Sequence, residues 1–149
     1  MIQGYVAFEI AKLLKTIGFD IQCHAYYDDE GCRYICSKAM DFNSRKDEEM
    51  YSMPKISDVE RYLNDRGIYI TTSPYMIKYG KNPYLFMWMF HLSITNAEGI
   101  ITYGCGGFNS REDALENGIK ESLERMAKRS KREEIWQVTS KAQRYWRRS

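Results

Sequence analysis

Near the N-terminus, apolar residues recur at the spacing of an amphipathic helix. Their separations fit one face of a 3.6-residue period. Gly18 follows, at the place where a left-handed residue ends many helices. The pattern predicts a helix over residues 6–17, with its apolar positions at Val6, Ile10, Leu13, Leu14 and Ile17.

A shorter helix is indicated in the middle of the chain. Ser57 and Glu60 have the spacing of a capping box, in which each side chain bonds the backbone of the other residue. Gly67 stands where this helix is expected to end. Its inward positions are Val59, Tyr62 and Leu63.

The C-terminal part of the chain carries two helical stripes. The first follows a second capping pair, Ser110 and Asp113, and predicts a helix that runs to about Lys128. Its apolar positions are Ala114, Leu115, Ile119, Leu123 and Met126. The second stripe predicts a final helix, through Ile135, Val138, Ala142 and Tyr145 or Trp146.

The segment from Cys23 to Cys36 has the form of a β-hairpin, with a polar turn at residues 28–31. If the turn centres on residues 29 and 30, Cys23 faces Cys36 across the two strands. The polar and charged run from Ser37 to Pro54 then predicts a loop.

Three further strands are predicted, over residues 68–79, 84–95 and 100–105. The second is apolar at successive positions, so we expect it at the centre of the sheet with both faces covered. Gly106 and Gly107 are expected to break the third strand. The fold class that follows is α+β: a mainly antiparallel sheet of four to five strands with helices packed on it, plus a basic C-terminal helix.

Composition limits the domain organisation and the cellular location. A chain of 149 residues, 44% hydrophobic and 14% aromatic, has the material for one core, which we assign to residues 1–128. Its longest apolar stretch, residues 84–90, is far shorter than the roughly 20 residues of a membrane span. The N-terminus lacks the form of a secretory signal. We therefore expect a cytoplasmic protein with free thiols at Cys23, Cys32, Cys36 and Cys105.

The net charge of +2 conceals an asymmetry between the two parts of the chain. Residues 1–124 hold 13 Lys or Arg against 18 Asp or Glu, whereas residues 125–149 hold nine against two. Basic side chains interleaved with aromatic ones suit phosphate neutralisation and base stacking. The tail, residues 129–149, could instead pack on the acidic body, on another copy or on a membrane surface. The nucleic-acid candidates are Lys128, Arg129, Lys131, Arg132, Trp136, Lys141, Arg144, Trp146, Arg147 and Arg148.

Catalytic and metal chemistry find little support in the residue spacing. His24 and the cysteines around it are zinc-ligand types, but Cys32 and Cys36 lack the Cys-x-x-Cys spacing of structural zinc sites. Cys105 could act as a nucleophile with His91 on the neighbouring strand, but no orienting acid is evident. We expect no enzyme, no metal and no cofactor.

Two RNA-binding folds share features with this chain. Residues 57–127 have the helix, three strands, helix order of a double-stranded RNA-binding domain, but the acids at 112 and 113 would repel phosphate. A sheet with stacking aromatic rings is the other possibility, and core packing explains most of those rings equally well. The rings are Tyr69, Tyr75, Tyr84, Phe86 and Trp88.

Five segments of the chain form a recognisable set: AFEIAKLLK at 7–15, GFD at 18–20, YYD at 26–28, VERYL at 59–63 and REDALENGIKESL at 111–123. In these segments the chain resembles a family of short uncharacterised proteins from gut anaerobic bacteria and their phages. The resemblance covers about residues 5–126 and implies a source class and a domain extent, with no catalytic residues. The tail after Met126 departs from the family length.

These observations favour a small accessory binding protein of phage or mobile-element type. It would act by contact with a protein partner or with a second copy of itself. The alternative is a nucleic-acid-binding module that uses the basic aromatic tail.

Overall fold

The computed structural model describes residues 4–45, 49–78, 80 and 85–147, with the side chains of the last helix described as far as Arg129. In chain order, the helices are α1 (Phe8–Thr16), α2 (Ile56–Asn64) and α3 (Arg111–Arg147). The strands are β1 (Cys23–Tyr27), β2 (Arg33–Met40), β3 (Tyr51–Ser52), β4 (Ile68–Ile77), β5 (Leu85–Asn96) and β6 (Gly99–Phe108). A short 3-10 turn covers Phe42–Ser44.

The α+β class is confirmed, but the expected single sheet of four to five strands is wrong. The described strands form two antiparallel sheets of three strands each, in the orders β2-β1-β3 and β4-β5-β6. β5 lies at the centre of the second sheet, as its sequence predicts. α2 lies between β3 and β4 along the chain, and no described strand of one sheet pairs with a strand of the other.

The register of the first hairpin differs by one residue from the prediction, so Cys23 does not face Cys36. Ala25 lies opposite Ile35, and after a β-bulge Cys23 lies opposite Met40. The Asp28 carboxylate accepts hydrogen bonds from the backbone N–H groups of Glu30 and Cys32, which sets a longer turn. A one-residue slip reverses the face of every side chain in a strand.

The polar segment predicted as a loop from Ser37 to Pro54 contains the end of β2 and all of β3. The Asn43 side chain organises it by donating to the carbonyl of Phe19 and accepting from the backbone N–H of Ser52. Neighbouring Phe42 is buried. Because these are long-range contacts of isolated residues, no period in the sequence indicates them.

The helix boundaries confirm one predicted cap and reject the other. Ser110 Oγ accepts the backbone N–H of Asp113 at 3.1 Å and caps α3. α2 instead begins at Ile56, after Lys55, without a side-chain cap. The two C-terminal helical stripes belong to one continuous helix of 37 residues.

The core is built from α1, α2, the two sheets and the beginning of α3, as far as Leu123. α3 contacts β4 and β5 and also α1. Ala114, Gly118 and Ser122 are buried at four-residue intervals along this helix. Their small side chains let the helix backbone approach the sheet closely. A Cβ built at Gly118 would lie 2.8 Å from Cγ2 of Ile70.

None of the helices in the described part of the chain combines the length and the apolar character that a membrane crossing requires.

Candidate functional site

The second sheet has one covered face and one open face. Side chains alternate between the two faces of a strand, and Phe90 and Leu92 of β5 are buried on the side of α3. His91, which lies between them, therefore points to the other side and is exposed. The expectation that both faces of β5 are covered is wrong.

We call this outward surface the open face. It comprises the odd-numbered positions of β4 and β5 and the even-numbered positions of β6, which the strand pairing places side by side. Its larger side chains are Tyr69, Tyr75, Ile77, Leu85, Met87, Met89, His91 and Ile100. Tyr69 is 49% exposed and Ile100 is 69% exposed.

Two glycines of β6 shape the open face. A Cβ built at Gly106 would lie 2.7 Å from the hydroxyl oxygen of Tyr75, and one at Gly104 would lie 3.3 Å from Nδ1 of His91. The missing side chains therefore let Tyr75 and His91 reach β6. A larger residue at Gly106 would displace the end of the Tyr75 side chain.

The last two described pairs of the β4–β5 ladder are apolar, one on each face of the sheet. Met76 and Phe86 lie opposite each other on the side of α3, and Ile77 and Leu85 lie opposite each other on the open face. All four are exposed, Phe86 at 65%. We call these four residues the hairpin tip, and it extends the apolar surface beyond the reach of the helices.

The open face is almost free of charge. None of the three strands β4, β5 and β6 contains an Asp, Glu, Lys or Arg, and His91 is the one histidine among them. A surface without cations cannot neutralise the phosphates of a nucleic acid. Its Tyr and Met side chains are instead typical of the centre of protein–protein interfaces.

Of the aromatic residues that sequence analysis singled out in this sheet, Tyr69 and Tyr75 lie on the open face. Phe86 and Trp88 lie on the side of α3, and Tyr84 is outside the described residues. The helix, three strands, helix order of α2 to α3 is confirmed.

A catalytic pair of Cys105 and His91 is excluded by the strand geometry. Cys105 lies opposite Phe90 and faces α3, whereas His91 lies opposite Gly104 and points to the open face. Cys105 lines an open cavity of about 250 Å³ together with Phe90 and Tyr103. Two carboxylates also line this cavity, those of Glu124 and of Glu121, which pairs with Arg125 at 2.8 Å.

The pKa values of the Cys23 and Cys32 thiols are raised, which disfavours the reactive thiolate form. Burial raises the pKa of the Cys23 thiol to about 11, and the negative charge of Asp58 adds to the shift. The Asp28 carboxylate raises the pKa of the exposed Cys32 thiol. Within the described ranges, no three His, Cys, Asp or Glu side chains come together as a metal site.

Asp28→Asn is expected to speed the labelling of Cys32 by a thiol reagent. Asn keeps the oxygen that accepts the turn hydrogen bonds, but it removes the charge that raises the pKa of the Cys32 thiol. More thiolate is then present at a given pH, so the curve of rate against pH moves to lower pH. Mass spectrometry of peptides labelled between pH 7 and pH 9 measures this.

Cys23 serves as the internal control, because its buried thiol should label slowly in both proteins. An unchanged labelling curve for Cys32 would contradict the assigned electrostatic cause.

The predicted nucleic-acid residues fall into two groups. Lys128 and Arg129 are exposed on α3 and, with Arg125, line an open cavity of about 550 Å³ beside the β5–β6 turn. Arg125 also lies over the Tyr103 ring at 4.6 Å. The side chains of Lys131, Arg132, Trp136, Lys141, Arg144, Trp146, Arg147 and Arg148 lie outside the described residues.

Sequence reasoning missed the open face because it interpreted a run of apolar residues in β5 as burial on both sides. One signal could have revealed it: the strand segments from 68 to 77 and from 85 to 108 contain a single charged residue, Glu98, and β4 has Tyr, Thr, Ser and Tyr at alternate positions from 69 to 75.

Searches among family models, curated proteins and solved structures find no match to this chain.

Proposed function

We propose that the chain is a non-catalytic binding protein that acts by macromolecular contact, and that its contact surface is the open face together with the hairpin tip. The observation that carries this proposal is that large apolar and aromatic side chains are exposed on strands without charged residues. Tyr69 and Phe86 are about half or more exposed, in a sheet whose strands contain no Asp, Glu, Lys or Arg. Contiguous exposed apolar surface of this kind marks interaction sites in soluble proteins.

A protein partner fits this surface better than a nucleic acid does. Burying the exposed Met76, Leu85 and Phe86 side chains would contribute favourable hydrophobic free energy, about 25 cal/mol per Å² of apolar area. The Tyr75 side chain reaches β6 at Gly106 and offers an aromatic ring with a polar hydroxyl. A phosphate backbone would find no counter-charge among these strands.

The thiol environments support a role without catalysis. A nucleophilic cysteine needs a lowered pKa or a base within hydrogen-bond reach. The pKa values of Cys23 and Cys32 are raised, and Cys105 and His91 lie on opposite faces of the sheet. The assignment to an accessory protein of phage or mobile-element type has its support in the sequence resemblance alone.

Site-specific photo-crosslinking tests the proposed contact surface. The photoreactive residue p-benzoylphenylalanine would replace Tyr69 on the open face and, as a matched control, Tyr34 on β2, since their exposed fractions are 49% and 45%. The full chain would be expressed in a gut anaerobic bacterium and irradiated. We expect a discrete cross-linked protein from position 69 and none from position 34.

A second substitution identifies the surface that is responsible. Met89→Lys places a charge at the centre of the open face and should abolish the cross-link from position 69. Cross-links to nucleic acid alone, or equal products from both positions, would overturn the proposal.

The basic C-terminal half of α3 supports a second candidate function, nucleic-acid binding. Among the side chains of α3 that are described, as far as Arg129, the last buried one is Leu123. The helix continues to Arg147 through the segment that holds most of its own basic residues. A chain shortened to residues 1–129 and the full chain should then differ in their salt-dependent binding of fluorescent RNA and DNA. Equal binding by the two chains would exclude this second function.

A further inference from the structure

The outer edge of β6 is long and regular. β6 pairs with β5, and no other strand in the described parts of the chain lies against it. The pairing is regular from Gly99 to Gly106, and the β-bulge is confined to the end near Phe108. An edge strand presents unpaired N–H and C=O groups along its free side. A strand of 10 residues offers an edge of about 34 Å.

The other edge strands carry features that discourage pairing. β2 contains Arg33 and Lys38, β3 has two residues, and β4 has Pro74 near its middle. Charged side chains, short length and proline are the usual protection of sheet edges. β6 has none of these, since it contains no charged residue and no proline.

We propose that β6 pairs with β6 of a second copy of this chain, antiparallel and across a two-fold axis, so that the two β4–β5–β6 sheets form one sheet of six strands. This interface lies at the sheet edge, so it adds to the proposed contact surface and does not depend on it. Pairing with a second copy places the side chains of β6 opposite side chains of an identical strand. Because β6 has no charged residues, this pairing brings no like charges together.

The side chains of β6 are compatible with such self-pairing. With the two-fold axis at Thr102, in the middle of the regular stretch, Ile101 faces Tyr103 of the partner subunit and Ile100 faces Gly104 of the partner subunit. Ile100 and Ile101 are 69% and 52% exposed in the single chain. Pairing therefore covers the β-branched apolar side chains of Ile100 and Ile101. Ile100 meets no side chain at Gly104 of the partner subunit, so the larger residue has room. Pairing also satisfies the free backbone groups of both edges.

Sedimentation velocity of the full chain, at concentrations from about 1 to about 100 µM, tests the proposal. The chain should sediment as a dimer at the upper end of this range. Ile101→Lys should weaken dimerisation at least about tenfold, because it replaces a covered apolar side chain by a charge and places the two lysines diagonally across the axis on the same face of the sheet. Ile35→Lys is the matched control on the exposed edge strand β2 and should leave the dimer intact.

A cross-link locates the interface. Thr102→Cys, in a Cys32→Ser background that removes the exposed native thiol, places two thiols opposite each other and should give a disulfide-linked dimer on oxidation. A wild-type monomer throughout the concentration range would overturn the proposal. So would a dimer that survives Ile101→Lys or fails to form the disulfide.

The open-face variant Met89→Lys separates the two proposals. It should remove the cross-link from position 69 without changing dimerisation, whereas Ile101→Lys should do the reverse.

Discussion

Gly118→Val is expected to lower the free energy of unfolding by more than about 3 kcal/mol. A Cβ at this position would lie 2.8 Å from Cγ2 of Ile70 and 3.2 Å from Cγ of Phe90, so the helix or the sheet must shift. Intrinsic helix propensity favours Val over Gly by a few tenths of a kcal/mol. Any loss of stability must therefore come from packing. Urea unfolding followed by circular dichroism measures the change.

Two further variants make this prediction specific. Lys128→Val, at an exposed position of the same helix, should change stability by about 0.5 kcal/mol. Gly118→Ala should be less harmful in an Ile70→Ala background than in the wild type, because the alanine at position 70 lacks the methyl group that the new Cβ meets. Additive effects of these two substitutions would show that the close approach of helix and sheet is not the cause.

Phe90→Ala is expected to lower the free energy of unfolding by about 3 to 5 kcal/mol. Phe90 is 3% exposed, and its ring lies 5.8 Å from that of Phe108 and 6.1 Å from that of Tyr103, measured between ring centroids. Removing the ring leaves a cavity beneath α3 that the surrounding side chains cannot fill. The same urea titration provides the measurement.

Phe86→Ala is the matched control for this loss. Phe86 precedes Phe90 in β5 and lies on the same side of the sheet, because the two positions lie an even number of residues apart. Phe86 is 65% exposed at the hairpin tip. Phe86→Ala should lower the free energy of unfolding by less than about 1 kcal/mol. Similar losses at the two positions would mean that the helices cover the hairpin tip and that the proposed contact surface is smaller than described.

The sequence alone predicted most of the helices and strands, because these depend on local periodicity. α1, α2, β4, β5 and the start of α3 lie within a few residues of their predicted positions. The Ser110 cap was predicted correctly, since it involves only neighbours along the chain. Gly106 and Gly107 do not end β6, which continues to Phe108. Gly106 pairs with Met89, and the unpaired Gly107, whose φ is 95°, forms a β-bulge, so this pair of glycines shifts the register without ending the strand.

The candidate site was less predictable than the elements that form it. Tyr69 and Tyr75 were singled out as possible stacking rings, but nothing in the order of residues shows which face of β5 the helices occupy. An apolar strand is compatible with burial on both faces or on one. The close approach of α3 at Gly118 settles the choice, because it places the helix on the face that contains Ile70 and Phe90.

The sequence by itself determined the α+β class, the position of β5 between two strands and the contrast between an acidic body and a basic C-terminal segment. The tertiary structure alone decided the division into two sheets, the one-residue register of the first hairpin and the exposure of the open face. The physical reason is the distance along the chain between the residues that interact. Helical and strand periods arise from neighbours along the chain, whereas sheet partners and covered faces arise from residues such as Phe19 and Asn43, which meet from 24 positions apart.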